Sequence, residues 1–169
     1  MDHVDVIIRQ WAAERPDLDT RAMAVIGRVA RLSMALGQGM QENFAHNGLN
    51  AAKFDVLATL LRSGPPYALS PGALLDATMV ASGTMTNRID RLEQDGLVER
   101  RKNPEDSRSV IIALTPRGLT LINEMMAAHV ATQAQLLEGL TTEEQAALST
   151  LLAKALHSAE TANARAAQV

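Results

Sequence analysis

The side chains best suited by type and spacing to do chemistry are basic, and they lie close together. Arg100, Arg101, Lys102 and Arg108 flank the turn-rich stretch Asn103-Pro104-Glu105-Asp106-Ser107. On either side, Leu97–Lys102 and Ser109–Leu114 read as strands, so the cations project from the arms of a short hairpin. Such a cluster suits phosphate contact, or insertion of an arginine into a minor groove. Ahead of it, Ser82–Asp95 carries Met85, Ile89 and Leu92 at helical spacing, which makes one buried stripe. The opposite face presents Gly83, Thr86, Asn87 and Asp90, with Thr84 and Arg91 at one margin. Small hydroxyl and amide side chains reach base edges and phosphates without clashing, so Thr84, Thr86, Asn87 and Arg91 join Arg100, Arg101 and Arg108 as candidates for nucleic-acid contact. Arg88 falls about 60° from the buried stripe and leans toward the protein body, where a cation needs a partner. On Asn50–Arg62, Phe54, Leu57 and Leu61 face inward, while Asp55 and Arg62 share the opposite face roughly 10 Å apart.

Other chemistries find few residues to work with. There is no Cys, which removes disulfides, thiolate nucleophiles and cysteine zinc sites. His3, His46, His129 and His157 show neither metal-ligand spacing nor a Ser-His-Asp context. Gly37-Gln38-Gly39 begins like a dinucleotide fingerprint, but Glu42 stands where the third glycine belongs and the context is mid-helix. The chain is therefore expected to be no enzyme, and to hold no metal and no cofactor. Aromatics at 2% leave little for a base-stacking platform. Net charge is −3 and the pI about 5.8, whereas residues 88–117 carry seven basic side chains against six acidic ones. A nucleic-acid surface must then arise by sorting charges onto faces rather than from bulk excess.

The elements that must position these residues fit one domain with an added dimerisation element, in a chain of 169 residues. A short helical stretch over Val4–Ala13 carries Trp11, and a long helix follows over Leu18–His46. Asn50–Arg62 ends at Ser63-Gly64-Pro65-Pro66, and Ser70-Pro71 opens a short helix to Thr78. Gly96 closes the helix Ser82–Asp95. After the hairpin, Thr115-Pro116 starts a helix to about Gly139. A capping box of Thr141 and Glu144 opens a last helix to about Ala159, with a frayed tail after Ala162. Three short helices followed by a two-stranded wing make a winged helix-turn-helix, whose third helix enters a DNA major groove. The expected fold is mainly α with a small β-wing. Residues 1–49 would be an extra helix and a dimerisation helix, 50–115 the DNA-binding part, and 116–169 C-terminal dimerisation helices. Flanking helices rich in Leu, Ala and Met point to a two-fold homodimer, since a monomer would leave too much apolar helix exposed. Two recognition helices then predict a pseudo-palindromic operator in double-stranded DNA, with half-sites about 10 bp apart. No stretch is apolar enough to span a membrane and the first ten residues lack a basic leader, so a cytoplasmic location is expected.

Asp106-Ser107-Arg108-Ser109 followed by Leu114-Thr115-Pro116-Arg117-Gly118 resembles the DxRS…LTxxG pattern of the MarR family of bacterial transcriptional regulators. Leu92-Glu93-Gln94-Asp95-Gly96-Leu97-Val98 matches that family's helix-to-wing junction. The resemblance covers residues 50–120 closely, and the flanking helices agree in kind and order. It implies a DNA-binding regulator, with repression the expected sign. It also implies that Arg108 is the wing's groove contact and that Asp106 fixes the wing by pairing with basic neighbours. A narrower resemblance is to the family's urate-responsive subgroup. That subgroup has a Trp on an extra N-terminal helix, an Asp and an Arg seven apart on the helix before the recognition unit, and an Arg in the recognition helix. Trp11, Asp55, Arg62 and Arg88 stand in that order here. The resemblance implies a ligand-binding site for a small planar anion such as urate or a related purine. Arg supplies charge and forked donors, and Asp accepts from ring N–H. An anion competing for Arg88 would disturb a charge pair anchoring the recognition helix and so lower DNA affinity. Taken singly, Trp11 reads more readily as a packing anchor, and Asp55 and Arg62 as solvated charges. The alternatives are a regulator sensing another aromatic or phenolic acid, and a winged-helix protein-interaction module that does not bind DNA.

Overall fold

The computed structural model describes residues 1–79, 85–104, 106 and 108–167. These hold seven helices, α1 (His3–Glu14), α2 (Arg21–Ala45), α3 (Ala51–Arg62), α4 (Pro71–Ala77), α5 (Met85–Gln94), α6 (Pro116–Leu136) and α7 (Thr142–Ala166). Three strands, β1 (Ala68–Leu69), β2 (Val98–Lys102) and β3 (Val110–Leu114), form an antiparallel sheet in the order β1-β3-β2. The chain divides into two compact units, Met1–Thr132 and Gln133–Val169. The first holds α1 to α5, the sheet and most of α6. The second holds the end of α6 and α7.

Local chemistry sets most boundaries. Asp2 caps α1 in a reciprocal box with Asp5, Asn50 caps α3 by accepting from Lys53 N–H, and Ser70 caps α4 with Pro71 at its first position. Thr141 and Glu144 close the expected capping box on α7. Three expectations need correction. The wing has a third strand, because Ala68–Leu69 pairs with Ile112 and Ala113 after Gly64-Pro65-Pro66 turns the chain. Helix α7 continues to Ala166, so the frayed tail expected after Ala162 is helical; its Ala-rich run has high helix propensity and nothing to stop it. Helix α6 ends at Leu136 rather than near Gly139. The expected start of the recognition helix, Ser82 to Thr84, lies outside the described residues.

The core of the first unit gathers Phe54, Val56, Leu57 and Leu60 of α3, Leu74 of α4, and Met85, Ile89 and Leu92 of α5. Sheet residues Val98, Ile112 and Leu114 close it from one side, and Ile122 and Met125 of α6 join it. Leu57, Leu60, Leu74 and Leu92 are wholly buried, each worth roughly 1.5–3 kcal/mol of burial. The buried stripe anticipated on α5 is therefore the one observed.

His129 of α6, partly buried, packs its ring at a tilt against the core rings of Phe44 and Phe54. Its ring centroid lies 4.5 Å from that of Phe54 and 5.9 Å from that of Phe44, and Nδ1 is buried with no hydrogen-bond partner among the described residues. Burial lowers its pKa from the ordinary 6.5, because the imidazolium would lose its water. A depressed folded-state value means that the neutral ring contributes stability above the unfolded value and that this is lost as pH falls through and below it. The unfolding temperature is expected to drop as pH is lowered from 7 to 5, and to drop less in a His129→Phe variant. An equal slope in both proteins would show that folding leaves the protonation of His129 unchanged.

Candidate nucleic-acid interface

Helix α5 buries Met85, Ile89 and Leu92 and turns Thr86, Asn87 and Arg91 to solvent. Those three were expected on that face; Thr84 lies outside the described residues. The wing is less uniform than its composition suggests. Arg100 forms ion pairs with Asp90 and Glu93 of α5, and Glu93 Oε1 accepts from Arg100 N–H at 3.0 Å. Arg101 pairs with Glu99 on its own strand. Charges are thus sorted. Two arginines pair with Asp90, Glu93 and Glu99, while Arg91, Lys102 and Arg108 have no ion pair among the described residues. Arg100 is therefore placed as a strut between the wing and α5 rather than at the hairpin tip. Asp106 also acts differently from the implied pairing with basic side chains. Its carboxylate accepts from Arg108 N–H at 3.0 Å and its carbonyl from Ser109 N–H at 2.9 Å, shaping the backbone that carries the exposed Arg108 side chain.

The exit from α5 is fastened with unusual completeness. Gly96, at φ +68°, allows Leu97 N–H to reach Leu92 O and Gly96 N–H to reach Glu93 O, a Schellman cap with Leu92 and Leu97 both buried. The three following carbonyls are then each taken up by the start of α6. Arg117 Nη1 donates to Asp95 O at 2.8 Å, Thr115 Oγ1 to Gly96 O at 2.8 Å, and Thr115 N–H to Leu97 O at 3.1 Å. Thr115 Oγ1 also accepts from Gly118 N–H, capping α6. From the other side, Lys53 of α3 pairs with the Asp95 carboxylate at 2.5 Å.

A second constellation lies on α3. Asp55 Oδ2 accepts from Met79 N–H at 2.9 Å, and Arg62 Nη2 donates to Ala77 O. Two charges expected on one helix face are thus brought together on one target, the last residue of α4 and the backbone just after it. Arg88 is half-buried on the inner margin of α5, as its angle from the buried stripe predicted. Trp11 is 39% exposed on α1, which packs on α2 through Val4 against Gly27 and is tied to it by Arg28 pairing with Asp2 and Asp5. Asp55 and Arg62 reach to Met79 and Ala77, at the end of α4. Sequence reasoning gave Lys53 and Arg117 no role of their own, and Thr115 only that of starting α6. The signal was present in the junction and LTPRG motifs, whose spacing is what lets residues 115–118 reach residues 95–97.

Among the described residues no cluster of His, Asp and Glu could hold a metal, and no helix is long and apolar enough to cross a membrane. Comparison with known proteins agrees with the fold. The MarR family model matches residues 47–109. The HTH-type transcriptional regulator PecS of Dickeya dadantii is 42% identical over 151 residues, covering 89% of this chain and 91% of that protein. A structure of mutant MarR from E. coli complexed with operator DNA is 27% identical with a TM-score of 0.70, covering 81% of this chain and 97% of that one. A structure of Bordetella bronchiseptica BpsR, whose DNA binding is regulated by 6-hydroxynicotinic acid, is 29% identical with a TM-score of 0.69 and covers 77% of this chain and 91% of that one. These relatives are regulators rather than enzymes.

Proposed function

The chain belongs to the MarR family of winged helix-turn-helix transcription regulators, and on that premise we propose that it is a homodimeric DNA-binding repressor whose operator affinity falls when a small planar anion, urate or a related purine, binds. Support for DNA contact comes from Thr86, Asn87 and Arg91 exposed on α5, with Arg101 and Arg108 on the wing and Thr84 continuing the α5 face in sequence. The operator structure of the E. coli relative supports the same reading. Support for a homodimer comes from the distribution of exposed large apolar side chains. Val25, Ile26, Val29 and Met34 on α2, Val130 on α6, and Leu151 and Leu156 on α7 are open to water, whereas residues 50–115 expose only Met79 and Val110 among those described. Residues 1–49 and 116–169 would then form the dimer interface around two DNA-binding parts.

The observation that carries the effector reading is the shared grip of Asp55 and Arg62 on residues 77–79, with Arg88 half-buried on α5. A planar anion offers negative charge to Arg62 and Arg88 and ring N–H groups to Asp55, so it competes for the groups that hold this backbone. Loss of either hold frees the path into α5, and a recognition helix out of register loses base contacts. Trp11 belongs to the reading as an aromatic cover for the ligand plane. Titration calorimetry of urate into the native protein is expected to give micromolar binding that Arg62→Ala and Arg88→Ala abolish. Absence of heat with the native protein would reject urate. A second reading, an aromatic acid effector, is favoured by the BpsR relative and its 6-hydroxynicotinic acid. Heat from that acid and none from urate would select it.

A further inference from the structure

We propose that Lys53 and Arg117 are positioning residues that hold the recognition helix in DNA register by clasping its exit turn, Asp95–Leu97, between α3 and α6. The proposal rests on the regulator reading above and adds two cations that need touch neither base nor effector. Both grip the same residue by different atoms. Lys53 Nζ lies 2.5 Å from the Asp95 carboxylate, with the lysine side chain only 16% exposed. Arg117 Nη1 donates to the Asp95 carbonyl at 2.8 Å. Thr115 holds the next two carbonyls, so α5 cannot turn about its axis without breaking a bond to α3 or to α6. Elsewhere α5 is held by Arg100 of the wing, through Asp90 and Glu93, and in the core by the apolar contacts of Met85, Ile89 and Leu92. Such contacts resist separation more than rotation, because burial is non-directional. Directional bonds at the exit, on the side of α5 that the Arg100 pairs leave unheld, therefore help set the angle at which Thr86, Asn87 and Arg91 meet DNA. A crevice of about 360 Å³, lined by Asn47, Lys53, Gln94, Asp95 and Arg117, opens onto the clasp and keeps it in reach of water. That keeps the Lys53–Asp95 pair easier to break than a fully buried one.

The test uses the full-length protein and a duplex that the native protein selects from a randomised pool. Affinity of Lys53→Gln, Asp95→Asn, Arg117→Gln, the Lys53→Gln/Asp95→Asn double variant and Lys53→Arg is measured across a salt series. Hydrogen exchange of residues 85–97 is followed in parallel. The clasp predicts an affinity loss of about tenfold for Lys53→Gln and for Arg117→Gln, of the size that couplings of this kind carry. It also predicts an unchanged salt slope, because no phosphate contact is lost. The double variant should bind no worse than Lys53→Gln, Lys53→Arg should recover affinity, and α5 amides should exchange faster. A salt slope reduced by about one per cation removed would identify a direct phosphate contact and overturn the proposal. So would native affinity in both single variants. Should the native protein select no duplex at all, the regulator reading itself falls, and the clasp with it. Faster α5 exchange with undiminished DNA binding would instead overturn the clasp and leave that reading standing.

Discussion

Replacing Gly118 with alanine is expected to cost more stability than any other single methyl group added to a described glycine. A Cβ at that position would sit 1.9 Å from Leu97 O and 2.9 Å from the Leu97 carbonyl carbon. Both are backbone atoms, and neither can swing aside as a side chain would. Leu97 O already accepts from Thr115 N–H, and Leu97 N–H donates into the α5 cap, so relieving the clash means tearing α6 from the exit of α5. The expected loss is at least about 3 kcal/mol, out of a total stability for a domain of about 5–15 kcal/mol. Calorimetry should show the melting temperature falling by roughly 6–12 °C. The control is Gly72→Ala, where a Cβ meets nothing within 4 Å and helical backbone favours alanine; its stability should stay within about 0.5 kcal/mol of native. Equal melting temperatures for the two variants would mean that α6 packs on Leu97 less closely than described.

The same junction shows what a sequence can and cannot disclose. The glycines of Asp95-Gly96-Leu97 and Thr115-Pro116-Arg117-Gly118 are legible as signals, one for a helix stop and one inside a familiar pattern. That the two motifs bind each other is a tertiary fact, created when the wing brings residues 95–97 back beside residue 115. Helix periods, caps and the α5 stripe were legible because each depends on neighbours within about two turns. Strand β1 was not, because two residues have no alternation to detect and their partner lies more than 40 positions away on β3. The wing arginines illustrate the limit for a site. Composition groups Arg100 with Arg101, Lys102 and Arg108, but register puts Arg100 opposite Ile112 and beside Asp90 and Glu93, where ion pairing takes it up. Asp55 and Arg62 show the reverse case. Their shared face was readable at a spacing of seven, yet their common target, the backbone of residues 77–79, emerges only once α4 packs across α3.

Truncating Asn87 is expected to have the largest effect on DNA binding, and to change its kind as well as its strength. Its side chain is exposed on α5, on the face away from Ile89 and Leu92, and an amide there can pair with two atoms of an adenine edge. Such a contact is worth about 1–3 kcal/mol, and a homodimer makes it twice, so Asn87→Ala should weaken the selected operator by roughly 30-fold to ten-thousand-fold. Non-specific duplex should be bound almost as before, so discrimination collapses while the salt slope holds. Arg108→Ala is expected to give the opposite pattern. Arg108 is exposed at the wing with no ion pair among the described residues, and its loss should weaken binding to all sequences alike and lower the salt slope by about two per dimer. Competition titrations with operator and non-specific duplex, each at several salt concentrations, separate the two. A uniform loss in Asn87→Ala would move Asn87 to the phosphates and leave sequence readout to its neighbours on α5. Those neighbours are Thr86 and Arg91, because Asp90 is held by Arg100 and the inner face is committed to the core.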